Sequence, residues 1–365
     1  MSIISFHLLK VKEIRKETAE CVSVLFDVPE ALNDTFKFRP GQYLTLRRTI
    51  NGEEVRRSYS ICASPSDREL RVAVKNVESG KFSGFANSDL KVGDELEVMP
   101  PLGKFSPKEK SAKDAKNYLA FAAGSGITPV ISIMKSLLEE NPKNNFTLIF
   151  GNKSRNSIIF KETIEGLKNK YMERLAVYHI FTRETMDTPL FNGRITDEKA
   201  NEFCDSLIHL DKIDELFICG PESMILSLRK YFVEQKKMDT KNVHIELFSS
   251  PDEPKSMHQE WEKKKHSTDA DKVSKVTIRL DGTTYEMDVP YNGDTILDTA
   301  LMQGLDLPYA CKGGVCCTCR AKLEEGEVEM EVNYALEDDE VANNFILTCQ
   351  SHPRTEKVVV DFDVK

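Results

Sequence analysis

Cys311, Cys316, Cys319 and Cys349 follow the spacing C-x4-C-x2-C-x29-C, and no other feature of the 365 residues restricts the fold as tightly. Three thiolates on one loop and a fourth far along the chain can hold two irons bridged by two sulfides. Such a cluster needs backbone N–H groups close to its sulfur atoms. Within the loop Cys311-Lys312-Gly313-Gly314-Val315-Cys316-Cys317-Thr318-Cys319, Gly313 and Gly314 carry no Cβ to obstruct that approach. A tetrahedral zinc site usually takes two C-x2-C pairs far apart, and only Cys316 and Cys319 make one here. A disulfide framework belongs to small domains in an oxidising compartment, and Cys21, Cys62, Cys204, Cys219 and Cys317 are scattered without one. Taking Cys317 as a ligand leaves one residue before Cys319, which fits a cluster poorly, so it reads as a thiol beside the ligands.

The chain is long for one domain, and a soft figure of about 150 residues each points to two or three. The N-terminal MSIISFHLLKVKEIRKE is interrupted by Lys10, Lys12 and Glu13, too early for an export-signal core. The longest low-charge stretch, Tyr118 to Met134, contains Gly124-Ser125-Gly126 and Thr128-Pro129 and reads as strand, loop and helix rather than a membrane span. With unpaired cysteines and no export signal, the expectation is a cytoplasmic protein that does not contact a membrane. From Val273 to Lys365 there are eight Lys/Arg and eighteen Asp/Glu, a net of −10 against −9 for the whole chain. No basic patch suits nucleic acid. The acidic excess, in Glu324, Glu325, Glu327, Glu329, Glu331 and Glu337 to Glu340, reads either as a solvated face or as a surface steering a basic partner.

Residues 1–110 carry short strands with turn punctuation: Gly41 to Arg48, a hairpin turn at Asn51-Gly52, Val55 to Cys62, Leu70 to Val77, and Glu95 to Met99. That pattern predicts a small antiparallel β-barrel. Over 111–249 strands and helices alternate: Tyr118 to Ala122, a helix from Pro129 to Glu140, Phe146 to Phe150, a helix from Ile158 to Asn169, Leu175 to Phe181, Glu215 to Cys219, and a helix from Glu222 to Lys236. Alternation of this kind implies a parallel sheet with helices on its faces. Residues 250–272 are polar, without apolar periodicity, and read as a linker containing the lone Trp261. In 273–365 a hairpin turning at Asp281-Gly282 precedes a helix capped by Asp294 and ending at Gly304. His179, His209 and His244 belong to no ligand cluster and read as structural.

Arg57-Ser58-Tyr59-Ser60 lies on a barrel strand, where Arg57 and Tyr59 share one face and Ser58 and Ser60 the other. Arg57 can grip a phosphate through paired N–H donors while Tyr59 lies on an aromatic ring. Gly124-Ser125-Gly126-Ile127-Thr128-Pro129 follows a strand and opens a helix, where glycines let a dinucleotide phosphate approach unpaired N–H groups; Pro129 suits the first helical position. Cys219-Gly220-Pro221 ends a strand, and Cys219 there is ordinarily a buried structural residue.

The set Arg39-Pro40-Gly41-Gln42-Tyr43, Arg57-Ser58-Tyr59-Ser60, Gly80-Lys81-Phe82-Ser83 and Pro101-Leu102-Gly103-Lys104-Phe105 resembles the ferredoxin–NADP reductase superfamily, and the cysteine loop with its hairpin-and-helix lead-in resembles plant-type ferredoxins. In module order, in the run from Leu307 to Cys316 and in the ending Val358 to Asp363, the chain is similar to reductase components of ring-1,2-phenylacetyl-CoA epoxidases. The resemblance implies a multi-domain fold: an FAD-binding β-barrel, an NAD(P)-binding α/β domain and a β-grasp [2Fe–2S] domain ligated by Cys311, Cys316, Cys319 and Cys349. It implies that Arg57, Ser58, Tyr59, Ser60, Val74 and Lys75 hold the flavin, with Gly80, Lys81, Phe82 and Ser83 over its pyrophosphate, which favours FAD over FMN. It places Gly124, Gly126, Ile127, Thr128, Pro129, Asn152, Ser154, Arg155, Cys219, Gly220 and Pro221 at the nicotinamide nucleotide. Ser60, Cys219 and Glu246 become the catalytic candidates, although a lone strand glutamate such as Glu246 is ordinarily solvent-facing.

NAD(P)H releases two electrons as a hydride and a [2Fe–2S] cluster takes one at a time, so the resemblance implies FAD between them. It implies an oxygenase component of a multicomponent monooxygenase as partner, the di-iron phenylacetyl-CoA epoxidase first. Reductases of Rieske-type ring-hydroxylating oxygenases, steroid hydroxylases or hybrid-cluster proteins are alternatives, as is a non-catalytic redox sensor. Phe150-Gly151-Asn152-Lys153-Ser154-Arg155 offers no acid to hold a ribose 2′-hydroxyl, but Ser154, Lys153 and Arg155 suit a 2′-phosphate. The expectation is NADPH, with NADH possible and Arg155 the main contact, against the plainer reading of stray surface cations.

Overall fold

The computed structural model describes residues 5–108, 115–248 and 272–364; the expected linker and Trp261 lie outside the described residues save for Lys272. One compact unit gathers Phe6–Val55 and Tyr59–Phe248. A second gathers the described residues beyond 248 together with Ser5 and Arg56–Ser58.

Strands β1 (His7–Thr18), β2 (Cys21–Asp27), β3 (Tyr43–Ile50), β4 (Glu53–Ser60), β5 (Leu70–Lys75) and β6 (Glu95–Val98) form one sheet in the order β4-β3-β6-β1-β2-β5. A bridge between Ile61 and Val72 joins the two edges and closes the sheet into the expected barrel. Asn51 and Gly52 both have positive φ (51° and 81°), as a two-residue hairpin turn that follows the strand twist requires. Helix α1 (Lys81–Ser88) is invisible to propensity because Gly84 and two serines weaken it; burial of Phe82 and Ala86 in the barrel core holds it in place.

The middle segment alternates β7 (Asn117–Ala123), α2 (Ile127–Glu140), β8 (Asn145–Asn152), α3 (Lys161–Lys170), β9 (Leu175–Phe181), α4 (Asp197–Ser206), β10 (Glu215–Gly220), α5 (Glu222–Lys230) and β11 (Val243–Leu247). Its strands are parallel, in the order β11-β10-β7-β8-β9. Chain order reverses between β7 and β10, and ligands of open α/β sheets bind at the carboxyl ends of the strands flanking such a reversal. Helix α2 begins at Ile127, not at Pro129; the proline sits in the first turn, where its missing N–H costs nothing. Its apolar residues Ile127, Val130, Ile131, Ile133, Met134, Leu137 and Leu138 are buried in a cluster that also contains Cys21, Cys62 and Ala73 of the barrel. The expected helix from Ile158 starts later, at Lys161, because Ile158, Ile159 and Phe160 are buried as its lead-in and Phe160 takes a left-handed φ of 59°. Helix α5 ends at Lys230 and passes into a π turn, Tyr231–Gln235, where one continuous helix was expected. Helix α4 buries only Ala200 and Phe203, too thin a stripe to read from sequence.

In the last segment β12 (Val273–Leu280), β13 (Thr283–Pro290), β14 (Arg320–Glu325), β16 (Phe345–Leu347) and β18 (Lys357–Asp361) form a mixed sheet in the order β13-β12-β18-β14-β16, while β15 (Val328–Met330) pairs with β17 (Ser351–Pro353). Helix α6 (Ile296–Met302) buries Ile296, Leu297 and Ala300 in the core of this β-grasp fold. A short α7 (Asp338–Ala342) precedes β16. The cap of α6 is Thr295 rather than Asp294: the Thr295 hydroxyl accepts the Asp298 N–H at 3.2 Å. Gly304 follows the helix at φ 85°, as a terminating glycine should. Among the described residues no helix is long and apolar enough to cross a membrane.

Phe121, fully buried on β7, packs against Phe232 with ring centroids 5.6 Å apart. Phe121→Ala should lower unfolding free energy by about 3–5 kcal/mol, read as a reduced denaturant midpoint; a loss below about 1 kcal/mol would contradict the assigned core.

Candidate functional site

At the reversal point, β7 runs through a 3₁₀ turn, Gly124–Gly126, into α2. A Cβ on Gly126 would lie 2.1 Å from the Cys219 carbonyl oxygen and 2.8 Å from the Gly220 nitrogen, so only glycine lets this loop rest on the end of β10. Gly124 is left-handed (φ 54°), and the Lys75 Nζ from the barrel lies 3.5 Å from where its Cβ would be. The Thr128 hydroxyl donates to the Ser125 carbonyl at 3.0 Å and fixes the turn. Ile127 and Pro129, expected at the nucleotide, are buried with α2 and can offer a ligand only backbone. Gly220 is confined too, since a Cβ there would meet Met224 at 2.6 Å; Pro221 caps α5.

Parallel pairing sets Cys219 on β10 beside Glu246 on β11. The Ser60 hydroxyl at the end of β4 donates to Glu246 Oε2 at 3.0 Å. Burial raises the Glu246 carboxyl to about 8, with the Ser60 hydrogen bond acting in the opposite direction. Burial, then the Glu246 charge, pushes the Cys219 thiol well above its ordinary value. Glu246 is therefore no solvent-facing strand residue. Three candidates far apart in sequence meet here, and around neutral pH the carboxyl holds a proton next to a hydroxyl that can relay it.

On β4, Tyr59 is half-buried with its ring centroid 5.5 Å from that of Phe82, and Arg57 donates to the Arg56 carbonyl at 2.8 Å. Val74 and Phe82 have side chains in the barrel core, so a ligand there would meet them through backbone, and Phe82 packs against the Tyr59 ring. Gly80 is the N-cap of α1, and a Cβ on it would come within 2.4 Å of Ser83 Oγ. That hydroxyl accepts the Val77 N–H at 3.1 Å and donates to the Gly80 carbonyl at 3.3 Å, while Lys81 is paired with Glu53 at 2.7 Å. A tight turn opening a helix with free N–H groups fits a pyrophosphate through backbone rather than through Lys81.

Asn152 ends β8 buried, and both polar atoms of its amide lack a hydrogen-bond partner among the described residues. Buried amides are rarely left so, which fits a nucleotide lying across the strand ends. Beyond it, Ser154 caps a short 3₁₀ turn with Ser157, and Lys153 Nζ is 3.6 Å from Glu20. The acid missing from this loop comes from 29 residues further on. Glu184 Oε1 accepts the Arg155 N–H at 2.9 Å, and its Oε2 is 3.6 Å from the guanidinium Nε. Arg155 is thus not the unpaired cation that the sequence suggests, and no local spacing signals the partner.

In the last segment Cys311, Cys316, Cys319 and Cys349 are all buried, with the Sγ atoms of Cys311 and Cys316 3.1 Å apart. The Gly313 N–H donates to Cys311 Sγ at 3.2 Å, and the Gln350 amide reaches Cys349 Sγ at 3.5 Å. Hydrogen bonds from the Cys316 and Cys349 thiols, then from the Gly313 and Val315 N–H groups, hold the Cys311 thiol well below its ordinary value. Its neighbours Cys316 and Cys349 are pushed up by the same contacts and by burial. A Cβ on Gly314 (φ 70°) would lie 2.8 Å from Val332, so the loop path demands glycine there. Cys317 is half-buried and donates to the Ala335 carbonyl at 3.2 Å. Among the described residues no three His, Cys, Asp or Glu side chains gather as around one metal ion. Four buried thiols, with backbone donors at Cys311 and the Gln350 amide at Cys349, are the donor set of a two-iron cluster, and the loop fits one.

Three family models match the chain in succession: an oxidoreductase FAD-binding domain over residues 7–106, an oxidoreductase NAD-binding domain over 121–230, and a 2Fe-2S iron-sulfur cluster binding domain over 278–354. A 1,2-phenylacetyl-CoA epoxidase component of Escherichia coli (strain K12) is 43% identical over 362 residues, 99% of each chain. The ferredoxin reductase component of 3-ketosteroid-9-alpha-monooxygenase of Rhodococcus rhodochrous is 33% identical, covering 97% of this chain and 96% of that one. The solved structure of phthalate dioxygenase reductase shares the fold, with TM-score 0.57 and 24% identity over 98% of both chains.

The raised Glu246 carboxyl carries a pH signature. A group whose folded pKa lies above its unfolded value of 4.5 contributes stability that is complete below 4.5 and lost as pH rises through about 8. Thermal unfolding of the wild type should therefore fall relative to Glu246→Gln between pH 5 and 8. Parallel curves for the two proteins would show that the carboxyl is not buried as described.

Proposed function

This chain belongs to the family of reductase components that includes the 1,2-phenylacetyl-CoA epoxidase relative, in which FAD-binding, NAD-binding and 2Fe-2S modules follow one another, and from that membership we propose that it takes electrons from NADPH and delivers them to an oxygenase. When bound, FAD accepts an electron pair from the nicotinamide and passes electrons singly to the [2Fe–2S] cluster, which carries them to the partner. The oxygenase we propose is the di-iron component that acts on phenylacetyl-CoA, supported by the 43% identity along the whole chain. The module boundaries we propose are 1–110, 111–249, a linker over 250–272, and 273–365; each sheet and each family match falls within one of them, which supports the division. No disulfide joins any of the nine cysteines, which supports a cytoplasmic location.

The observation that carries this function is the occurrence in one chain of a four-thiol loop and of the Ser60–Glu246–Cys219 meeting point at the sheet reversal. Tyr59 would cover the flavin ring, Arg57 would take a phosphate, and the N-terminus of α1 with Ser83 would take the pyrophosphate. The loop Gly124–Gly126 and the start of α2 would hold the nucleotide phosphates, with Lys75 as the nearest barrel cation. Gly220, where Met224 and Ala123 leave no room for a Cβ, would present backbone beside Cys219 to the nicotinamide. Ser60 and Glu246 would hold and hand over a proton at the Ser60 Oγ, in a pocket where burial already keeps the carboxyl protonated. Cys311, Cys316, Cys319 and Cys349 would bind the irons, with Gly313 and Gln350 donors at the sulfurs.

Cys311→Ser, Cys316→Ser, Cys319→Ser and Cys349→Ser should each abolish the cluster, seen as loss of iron and of its visible and paramagnetic-resonance signals, while Cys317→Ser keeps it. Zinc in place of iron, or loss of the cluster in Cys317→Ser alone, would overturn the ligand set. Truncation after Ser250 should leave NADPH-dependent ferricyanide reduction intact and end cytochrome c and oxygenase reduction. Oxygenase turnover at the full rate by the truncated chain would overturn the electron order.

A further inference from the structure

Nothing in the run 150–155 repels a 2′-phosphate, yet in the folded chain a carboxylate stands at Arg155. Glu184 lies just past β9, which pairs with β8 so that Asn152 and Phe181 are partners; register alone carries the two loops together. The contact is doubly made. One carboxylate oxygen accepts the Arg155 backbone N–H at 2.9 Å, and the other lies 3.6 Å from Nε of the same residue. A side chain bonded to the loop backbone cannot swing away from the guanidinium as a free surface acid would. Of the neighbouring cations, Lys153 lies near Glu20 at 3.6 Å, and Arg183, exposed beside Glu184, ties the two loops through its backbone N–H on the Lys153 carbonyl at 2.9 Å.

Resting on the assignment of this loop to the adenosine end of the nucleotide, we propose that Glu184 sets the balance between NADPH and NADH. Its carboxylate offsets the Arg155 charge and stands where a phosphate dianion would approach, which holds down the preference for NADPH. The same carboxylate can accept a hydrogen bond from a ribose 2′-hydroxyl, which sustains use of NADH. A purely structural Glu184, acting only as the acceptor for the Arg155 N–H, is the competing role. The variants separate them, because glutamine keeps an acceptor oxygen and loses the charge, while alanine loses both.

The test uses the full chain with its cofactors and compares wild type, Glu184→Gln, Glu184→Ala and the double variant Glu184→Gln with Arg155→Ala. Removing one carboxylate charge within a few ångströms of a surface phosphate should change affinity about tenfold. Glu184→Gln should raise the ratio of kcat/KM for NADPH to that for NADH by about that factor, through a lower KM for NADPH. Calorimetric titration with adenosine 2′-monophosphate should show about tenfold tighter binding in Glu184→Gln, with adenosine 5′-monophosphate unchanged, and added salt should shrink the difference. The double variant should lose the gain. An unchanged ratio in Glu184→Gln, or equal changes with both nucleotides, would overturn the proposal, as would a loss confined to Glu184→Ala. Should the wild type reduce no acceptor with either nucleotide, the proposed function falls, while titration with adenosine 2′-monophosphate still decides the role of Glu184.

Discussion

The seat of Gly126 on the carbonyl of Cys219 is the contact on which the arrangement at the sheet reversal depends. No side chain fits between them, because a Cβ would sit 2.1 Å from that oxygen. The missing atom lets the loop after β7 close over the end of β10, which brings helix N–H groups and a buried cysteine to one place. Sheet register then does the rest. Cys219 pairs with Glu246 on one side and Ala122 on the other, so fixing the end of β10 fixes both neighbours. The barrel enters this line through the Ser60 hydroxyl, bonded to Glu246.

That arrangement also explains an unusual carboxyl. Isolated burial of a charge is unfavourable, and here the group answers by taking up a proton instead of finding a cation. Its hydrogen-bond partner is the Ser60 hydroxyl, which stabilises the carboxylate only in part and can pass a proton in either direction. The cluster loop solves the opposite problem. Four buried thiols held at close quarters would repel one another as thiolates, and the backbone donors at Cys311, like the Gln350 amide at Cys349, are placed to offset that charge.

Features written in consecutive residues were legible beforehand. Asn51-Gly52 and Asp281-Gly282 adopt the positive φ values that their turns need, and the cysteine spacing put three thiols on one loop. Where two nearby residues compete for a role, sequence chose badly: Thr295 caps α6 instead of Asp294, because its hydroxyl reaches the Asp298 N–H. Helix α2 begins two residues before its proline, since the 3₁₀ turn of the glycine loop runs directly into it. Val74 on β5 and Phe82 on α1 turn their side chains into the core, a matter of which face of each element is covered that the motifs do not encode. The contacts between Glu184 and Arg155 and between Ser60 and Glu246 span 29 and 186 residues, and only parallel register or domain packing brings such pairs together.

The central claim is that nicotinamide chemistry occurs at the meeting of β7 and β10 and feeds the cluster only from there. Gly126→Ala tests it most directly, in anaerobic rapid mixing with NADPH followed by optical and paramagnetic-resonance detection. The account predicts that flavin bleaching slows by at least about tenfold, that cluster reduction slows by the same factor, and that direct reduction of both centres by dithionite is unchanged. Cluster reduction at the wild-type rate while the flavin stays oxidised would contradict it.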